Sequence, residues 1–504
     1  MLMKLETRQP LRVLMELRPG LSGHAGIPQA TRLLYRSLAS LEDVRVAGLL
    51  QSADHVLSRG LPPSGRGWLG PLSADRQLNR LGRVVISIEQ RTRDLYAHAT
   101  LLTIGMLLRH PLGGRERLTR FEPDHFRDFL WRRFFARTLP AEDFDLVLRT
   151  AFRVARLPWN AQHICAFVTG KIGLPVYPRL DTSDFDVMIA QTPCPATVAR
   201  NTRLVVHYHD AIPLLMPHTI SDRRWHQAFH YRALRHNVMN GAWFACVSDA
   251  TRHDLLSVFP QAEPRAVTIH NMVSHHYHDG PSDRARIPEI IRTRLNPRLK
   301  SSLGPGGEQG RELDYLLIVS TIEPRKNHLA LLSAWEQLRA TSHPQLKLVM
   351  VGELGWHHGP IVRKLRPWLE RGEAFLLTDV LAEELRVLYA QAKLTVCPSF
   401  GEGFDFSGIE AMKSGCAVAA SDLEVHREVF GEAAQYFNPY SIESLVQAIS
   451  SVLDPSGEGL RRELIGRGAR NAARYTSQAI LPQWEALLAT SARAPAPQTV
   501  PQPS

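Results

Sequence analysis

Residues 398–415, PSFGEGFDFSGIEAMKSG, decide how this chain is interpreted. The pattern predicts a strand that ends near Pro398, a glycine-bearing loop, and a helix that begins near Ser407. Glu402 lies in the loop, and Glu410 lies about one turn into the helix. Because a helix N-terminus has free N–H groups, this arrangement suits a diphosphate, and Glu410 could accept hydrogen bonds from ribose hydroxyls. A solvated loop acid and an acid in a first helical turn fit the same pattern, so the spacing alone leaves both interpretations open.

The alternation of apolar strands and helices extends in both directions from this segment. A strand at 315–320, a helix at 327–340 and a strand at 346–352 precede it, and a similar series begins with a strand at Leu11–Glu16. Apolar strands that alternate with helices are typical of a doubly wound parallel sheet. We therefore predict an α/β protein with two Rossmann-like, doubly wound domains.

Composition sets the predicted boundaries. A stretch without periodicity, rich in Pro, Gly, Arg and Ser, separates the two strand-helix series and is typical of a linker. The predicted order is an N-terminal domain over 1–285 with a largely helical insertion at about 57–166, a linker over 286–312, a C-terminal domain over 313–476, a last helix over 477–492 and a disordered tail over 493–504.

The bulk properties exclude several classes of protein. No apolar run approaches the roughly 18 residues of a membrane-spanning helix, and the first residues show no apolar core of a secretory signal. Five cysteines without close pairing argue against a disulfide framework or a zinc site and indicate a reducing cytosol. The formal charge of +11 would attract anions, but no nucleic-acid motif accompanies it. We expect a cytoplasmic protein that binds no nucleic acid and no metal.

A family resemblance adds to this interpretation. Residues 402–415, EGFDFSGIEAMKSG, resemble the E-x7-E signature of retaining family-four glycosyltransferases of the glycosyl transferases group 1. The flanking residues at 384–399 and 428–439 also resemble the family's order. The resemblance is strong over 316–486, whereas the region 57–166 matches no known pattern.

The resemblance implies a GT-B fold, in which two Rossmann-like domains face each other across an interdomain cleft. The C-terminal domain would hold a nucleotide-diphosphate sugar as donor substrate, and the N-terminal domain would hold the acceptor. No metal or other cofactor is implied. The family usually has Gly-Leu-Pro where this chain has Asp405, Phe406 and Ser407. The resemblance places Phe406, Ser407 and Gly408 in the donor-binding loop.

A second motif, STIEPRKNH at 320–328, contains two adjacent cations. Cations at a helix start are electrostatically unfavourable, so Arg325 and Lys326 are expected to have an anionic partner. In the resemblance, Lys326 binds the donor diphosphate. Many relatives have an arginine where this chain has Thr321, and Arg325 could supply that charge from a neighbouring position.

The N-terminal half offers two further candidates. Gly26 follows the first strand in a glycine-rich loop, and the resemblance places it at the cleft. His209 ends the strand in VVHYHDAIP, and the resemblance places this His-Asp pair near the donor sugar. His207 would face the same side of the strand, so the assignment between the two histidines stays open.

Residues 126–137, FRDFLWRRFFAR, are aromatic and basic at helical spacing. Such a helix could lie on an anionic membrane, or it could pack on the core with an arginine-rich outer face. We expect it to contribute to peripheral contact with the inner face of the cell membrane, where a lipid-linked acceptor would be found.

Together with these features, the resemblance implies a retaining glycosyltransferase that moves a hexose to a glycan or lipid-linked acceptor. Mannose is favoured because many relatives in polysaccharide and O-antigen assembly use GDP-mannose. Lys326 would stabilise the departing diphosphate, Glu402 would orient the sugar hydroxyls, and His209 would lie near the sugar. A nucleotide-sugar epimerase of similar fold and a non-catalytic sugar-nucleotide-binding protein are the alternatives.

Overall fold

The computed structural model describes residues 9–495 except 24–25, 63–65, 68–69, most of 91–113, 172–174, 221–222 and 299–312. In chain order the strands are β1 (Leu11–Glu16), β2 (Val44–Leu50), β3 (Arg66–Gly67), β4 (Gly70–Pro71), β5 (Glu116–Arg117), β6 (Thr119–Phe121), β7 (Ala151–Val154), β8 (Leu180–Asp181), β9 (Val187–Ala190), β10 (Arg203–Tyr208), β11 (Trp243–Cys246), β12 (Ala266–Thr268), β13 (Tyr315–Val319), β14 (Lys347–Val351), β15 (Ala374–Leu377), β16 (Leu394–Cys397), β17 (Val418–Ser421) and β18 (Ala434–Phe437). The α-helices span Ile27–Ala39, Ala74–Glu89, Arg127–Leu130, Phe144–Leu148, Trp159–Gly170, Ile212–Leu215, Arg223–Met239, Asp249–Val258, Ile287–Arg294, His328–Thr341, Gly359–Glu370, Ala382–Gln391, Phe406–Lys413, Glu424–Phe430, Ile442–Leu453, Glu458–Ala472 and Ser477–Arg493.

Two separate sheets organise the chain. The first has the order β12-β11-β10-β9-β1-β2-β7-β6 and is parallel except for β6, which runs antiparallel to β7. The second has the order β15-β14-β13-β16-β17-β18 and is parallel throughout. Most of their strand residues are buried, as expected of parallel strands covered by helices on both faces. The predicted α/β fold with two doubly wound sheets is confirmed.

Each sheet reverses its strand order beside its first strand. In the first sheet the reversal lies between β1 and β9, and in the second it lies between β13 and β16. Ligands of open α/β sheets bind outside the carboxyl ends of the strands at such a reversal. The loops that follow these four strands are therefore the places where a site is expected.

The predicted insertion at 57–166 is not simply helical. Its strand β7 pairs in parallel with β2, and β6 pairs with β7 at the edge of the first sheet. Phe152 and Val154 of β7 are buried while Arg153 between them is only partly buried. Four residues with an interior arginine are too short and too polar to show as a strand in the sequence. The region is thus partly a continuation of the main sheet.

The predicted linker also contains regular structure. The helix Ile287–Arg294 packs Ile287, Ile290 and Ile291 into the core of the second sheet. This spacing is that of an apolar helix face, and it lies in residues that the composition had marked as a linker. Residues 299–312 of that prediction, and 496–504 of the predicted tail, lie outside the described residues.

The segment 126–137 packs inward. It forms a short helix, Arg127–Leu130, that continues as a wider π-type turn through Phe135. Leu130, Phe134 and Phe135 are buried in the N-terminal core. Most aromatic side chains of this segment pack on the N-terminal core, so they are not available to contact a membrane. Among the described residues, no helix has both the length and the hydropathy of a membrane span.

The last helix, Ser477–Arg493, belongs to the core of the first domain. Ile480, Trp484, Leu487 and Leu488 pack with the side chains that cover the first sheet. The chain therefore returns from the second sheet to complete the N-terminal core.

Candidate functional site

Three predicted residues meet at the reversal of the second sheet. Arg325 and Lys326 follow β13, and Glu402 follows the adjacent strand β16. The Lys326 Nζ atom lies 2.5 Å from Glu402 Oε1, and Arg325 Nη1 lies 3.0 Å from Oε2. The Glu402 side chain is only 7% exposed. Burial would raise the pKa of this carboxyl, but the charges of Arg325 and Lys326 outweigh burial and hold the pKa below its ordinary value.

Arg325 and Lys326 differ in how many donors remain for a ligand. Arg325 donates from Nε and Nη2 to Glu323 and from Nη1 to Gly401 O and Glu402. Most of its guanidinium is therefore engaged in holding the Glu402 loop. Lys326 has three ammonium protons, and its one hydrogen bond within the described part of the chain goes to Glu402. Lys326 is thus the better placed of the two to meet an anion.

Asp405 occupies the N-terminus of the helix Phe406–Lys413. Its Oδ1 accepts hydrogen bonds from the Ser407 N–H at 3.1 Å and the Ser407 hydroxyl at 2.6 Å. Its Oδ2 lies 3.2 Å from His426 Nε2, while His426 Nδ1 donates to the Ser421 carbonyl at 2.8 Å. Burial opposes ionisation of Asp405, but the hydrogen bond and charge of His426 lower the pKa of its carboxyl well below the ordinary range.

The backbone explains the departure from Gly-Leu-Pro at this position. Asp405 has φ 64°, in the left-handed region that favours glycine and tolerates aspartate. Its carboxylate occupies the helix N-terminus, where an anionic ligand could otherwise bind. Ser407 is consequently turned toward Asp405, and Gly408 packs so closely on Phe430 that a Cβ would lie 2.3 Å from the ring. Direct donor contacts by Phe406, Ser407 and Gly408 stay predictions.

Glu410 lies deeper in the same helix and is 3% exposed. Its Oε1 accepts from Gln29 Nε2 at 2.7 Å, and its Oε2 accepts from the Tyr389 hydroxyl at 3.1 Å. Burial raises the pKa of Glu410 to about 7, although both hydrogen bonds act in the opposite direction. Gln29 belongs to the N-terminal helix Ile27–Ala39, so this acid already bridges the two domains.

The N-terminal domain contributes residues that lie at the carboxyl ends of the strands of its own sheet. Gly26, at the start of the helix Ile27–Ala39, has φ 71°, and a Cβ there would meet no atom within 4 Å. His207 and His209 stand at the end of β10 with their ring centroids 4.2 Å apart. The Nε2 atom of His209 is buried without a hydrogen-bond partner among the described residues. Burial lowers the pKa of His209 to about 3, so the ring is neutral.

The two edges touch through Gly403. A Cβ at this position would lie 1.8 Å from the His209 carbonyl oxygen, so only glycine allows this approach. The Gly403 carbonyl accepts hydrogen bonds from the hydroxyls of Ser248 at 2.7 Å and Thr251 at 3.3 Å. The loop that contains Glu402 is thereby fixed directly beside His209.

A second interdomain contact reinforces the first. The Glu428 carboxylate accepts the N–H groups of Asp249 at 2.7 Å and Ala250 at 3.0 Å, at the start of the helix Asp249–Val258. His270 Nε2 lies 2.8 Å from the same carboxylate. A carboxylate of one domain therefore caps a helix of the other.

Several of these residues were not predicted as site residues. Gln29, Glu323 and His426 form hydrogen bonds that depend on tertiary packing and have no local pattern. Glu428 lies within the residues that resemble the family, which is a signal of importance but not of a role. Gly403 lies within the predicted loop, and only the position of His209 reveals why it must be glycine.

Comparisons with known proteins concern the family and the fold. Residues 314–455 match the model of the family described as glycosyl transferases group 1. O-antigen chain mannosyltransferase B of Escherichia coli is 27% identical over 278 residues, which cover 55% of this chain and 68% of that protein. Serotype-specific mannosyltransferase WbdA of Escherichia coli is 33% identical over 139 residues, which cover 27% of this chain and 17% of that protein.

The fold also matches a solved structure over most of its length. HepE of Anabaena, in complex with UDP and glucose, superposes with a TM-score of 0.56 over 95% of this chain and 100% of that chain, at 14% identity. The identity is low, so this likeness concerns the fold alone. The chain thus contains a C-terminal region that matches the glycosyl transferases group 1, and it is a glycosyltransferase with the two-domain GT-B fold.

Proposed function

We propose that this enzyme transfers a hexose, with mannose favoured, from a nucleoside-diphosphate sugar to a glycan or lipid-linked acceptor in O-antigen assembly, with retention of the anomeric configuration. The observation that carries the proposal is the convergence of Lys326 and Arg325 on the buried Glu402 carboxylate, opposite His209. The mannosyltransferase names of the two Escherichia coli relatives support mannose and O-antigen assembly.

The donors that remain on each side chain suggest a division of roles. Lys326 has uncommitted ammonium protons, so it meets the diphosphate and stabilises the charge that develops as the sugar leaves. Most N–H groups of Arg325 bond to Glu323 and to the Glu402 loop, so Arg325 holds Glu402 in position. At most one of its N–H groups remains to contact the donor substrate. Glu402 is ionised and keeps free lone pairs that accept hydrogen bonds from hydroxyls of the donor sugar.

The remaining contacts follow from the two facing edges. Neutral His209 lies against the donor sugar, and the open space at Gly26 lets the backbone approach the donor. Glu410 accepts hydrogen bonds from the ribose, which requires that Gln29 shares or leaves its oxygen. Ser407 reaches the diphosphate only by turning away from Asp405.

The proposed chemistry needs no metal and no other cofactor. The bond between the anomeric carbon and the diphosphate breaks, the acceptor oxygen bonds to the same face, and the departing diphosphate takes the acceptor proton. A cytoplasmic location is part of this proposal, since all five cysteines are buried free thiols, as in a reducing compartment. Attraction of the exposed Arg132 and Arg137 to an anionic membrane is a further part of it.

Release of nucleoside diphosphate from GDP-mannose, and from UDP-hexoses in parallel, tests the proposal. We expect Glu402→Gln to lower the rate of transfer more than the affinity for nucleoside diphosphate, because its partner is the sugar. Glu410→Ala should mainly weaken nucleotide binding, because the ribose is bound in ground and transition states alike. Glu370→Gln, an exposed change on a helix of the same domain, is the matched control.

Four results would contradict parts of the proposal. Turnover of UDP-hexoses alone would exclude a GDP-mannose donor. Formation of an epimer without release of nucleotide would indicate an isomerase, and binding without turnover would indicate a sugar-nucleotide-binding protein. Normal transfer by Glu402→Gln would remove this residue from the site.

A further inference from the structure

A row of three aromatic rings connects the last helix of the chain to the candidate site. Trp484, from the helix Ser477–Arg493, lies with its ring at 87° to the His207 ring, with centroids 5.1 Å apart. The His207 ring lies 4.2 Å from the His209 ring, at 47°. Trp484 and His207 are both buried, whereas His209 is partly exposed. The order Trp484–His207–His209 therefore runs from the interior of the N-terminal core to the site.

His207 is held in place by a hydrogen bond to Gln191, which is itself bonded to Glu16 at the end of β1. Its Nδ1 lies 3.0 Å from Gln191 Oε1, and because an amide oxygen only accepts, Nδ1 donates. The Gln191 backbone N–H in turn donates to Glu16 Oε2 at 2.8 Å. Glu16 also accepts from Arg18 Nε at 2.7 Å. The chain of bonds thus fixes the His207 ring against β1 and β9.

His209 has no comparable anchor of its own. Its Nε2 has no hydrogen-bond partner among the described residues, and its backbone carbonyl is in contact with Gly403. The strand period of two places the side chains of 207 and 209 on the same face, where contact with the His207 ring limits how the His209 ring can turn. Burial lowers the pKa values of both imidazoles, so two neutral rings pack without charge repulsion.

We propose that His207 and Trp484 are positioning residues that set the orientation of the His209 ring toward the donor sugar. When the last helix packs on the first domain, the Trp484 ring contacts His207. The His207 ring in turn contacts the His209 ring and limits its orientation. The role of His209 at the sugar rests on the proposed function, but the ring contact itself does not. Residues of the second half of the chain thereby influence the N-terminal edge of the cleft without touching the substrate.

A double-mutant cycle tests whether His207 acts through His209. His207→Phe keeps a ring of similar shape and removes the bond to Gln191. We expect release of nucleoside diphosphate from GDP-mannose to fall by roughly 10- to 100-fold, the cost of a small misplacement at a reacting centre, with unchanged affinity for GDP. In a His209→Ala background, His207→Phe should have no further effect. An equal loss in both backgrounds would show that His207 acts independently of His209 and would overturn the proposal.

Trp484 is tested in the same way with two substitutions. Trp484→Phe keeps an aromatic contact and should retain most activity, whereas Trp484→Leu should lose activity as His207→Phe does. Leu487→Val, on the same buried helix, controls for loosened packing, and the melting temperature of each variant shows that it folds. Equal activity of Trp484→Leu and Leu487→Val would show that the aromatic contact is not used.

A spectroscopic measurement separates this inference from the proposed function. Imidazole signals of the protein with isotope-labelled histidine, assigned to His209 by their loss in His209→Ala, should move in His207→Phe and in Trp484→Leu but not in Leu487→Val. Unmoved signals would overturn the ring contact whatever the activity. If wild-type protein releases no nucleotide from any sugar donor but the signals move as expected, the proposed function fails and the positioning contact stands.

Discussion

The substitution Glu410→Gln turns the burial of this carboxyl into a measurable dependence of stability on pH. Burial raises the pKa of Glu410 to about 7 in the folded protein, from an ordinary value of 4.5. Below pH 4.5 the carboxyl is protonated in both the folded and the unfolded state. The stability that the folded state gains from its higher pKa is then fully present. As the pH rises through 7 that contribution is lost, because the folded state must then hold a buried carboxylate.

The size of the effect follows from the two pKa values. Between pH 5 and pH 8 the wild-type protein should lose about 2–3 kcal/mol of unfolding free energy through this one group, by proton linkage. Glutamine keeps the size and one hydrogen-bond acceptor of the side chain but does not titrate. The stability of Glu410→Gln relative to wild type should therefore improve by about 2–3 kcal/mol across that range, or roughly 5–10 °C in melting temperature for a domain of this size.

Thermal or urea unfolding at several pH values measures this difference. The exposed change Glu370→Gln should show no such trend and controls for the general effect of removing a carboxylate. If the difference between Glu410→Gln and wild type is the same at pH 5 and pH 8, Glu410 does not titrate near neutrality. If the variant instead becomes relatively less stable as the pH rises, the hydrogen bonds from Gln29 and Tyr389 outweigh burial, and the reasoning is refuted.

Three further predictions concern the site. Lys326→Ala should lower the transfer rate by about a hundred- to thousand-fold, through loss of a preorganised charge, and a rate near wild type in an assay of nucleotide release would exclude Lys326 from the diphosphate site. Gly403→Ala should clash with the His209 carbonyl, separate the two edges and lower transfer by about a hundredfold with normal nucleotide affinity, and equal kinetics would show that the loops need not touch. Glu428→Ala should reduce the unfolding free energy by about 1.5–3 kcal/mol by leaving a helix start uncapped, as calorimetry would measure; an unchanged melting temperature would mean that water replaces the carboxylate.

The sequence predicted those features that local patterns determine. The doubly wound sheets follow from strand-helix periodicity. Lys326 and Glu402 were predicted separately as donor-site residues, and the structure brings them together because loops at a strand reversal meet. The pairing of Glu410 with Gln29 joins residues 381 positions apart, and no local pattern encodes it. Strand β7 was missed because a short strand with an arginine at its centre has no clear alternation of apolar residues.

The same limit applies to charges. The resemblance placed Asp405 where the family has glycine, but it did not show that His426, 21 residues further along, would form a hydrogen bond with it. It also assigned both Arg325 and Lys326 to donor binding. Only the positions of Glu323 and the Gly401 carbonyl show that most N–H groups of Arg325 bond within the protein, whereas those of Lys326 do not.

The return of the last helix to the first domain has a consequence for how the chain folds during synthesis. Strands β1 to β12 are made before residue 269, but Trp484, Leu487 and Leu488 complete the core that covers them. At roughly 5–20 residues per second, a ribosome needs about 10–45 s to make the intervening chain. During that interval the apolar side chains that Trp484, Leu487 and Leu488 will cover stay exposed, because the last helix has not yet been made. Chaperone dependence and sensitivity to truncation should therefore be concentrated in the first half of the protein, although the missing residues belong to the end of the second.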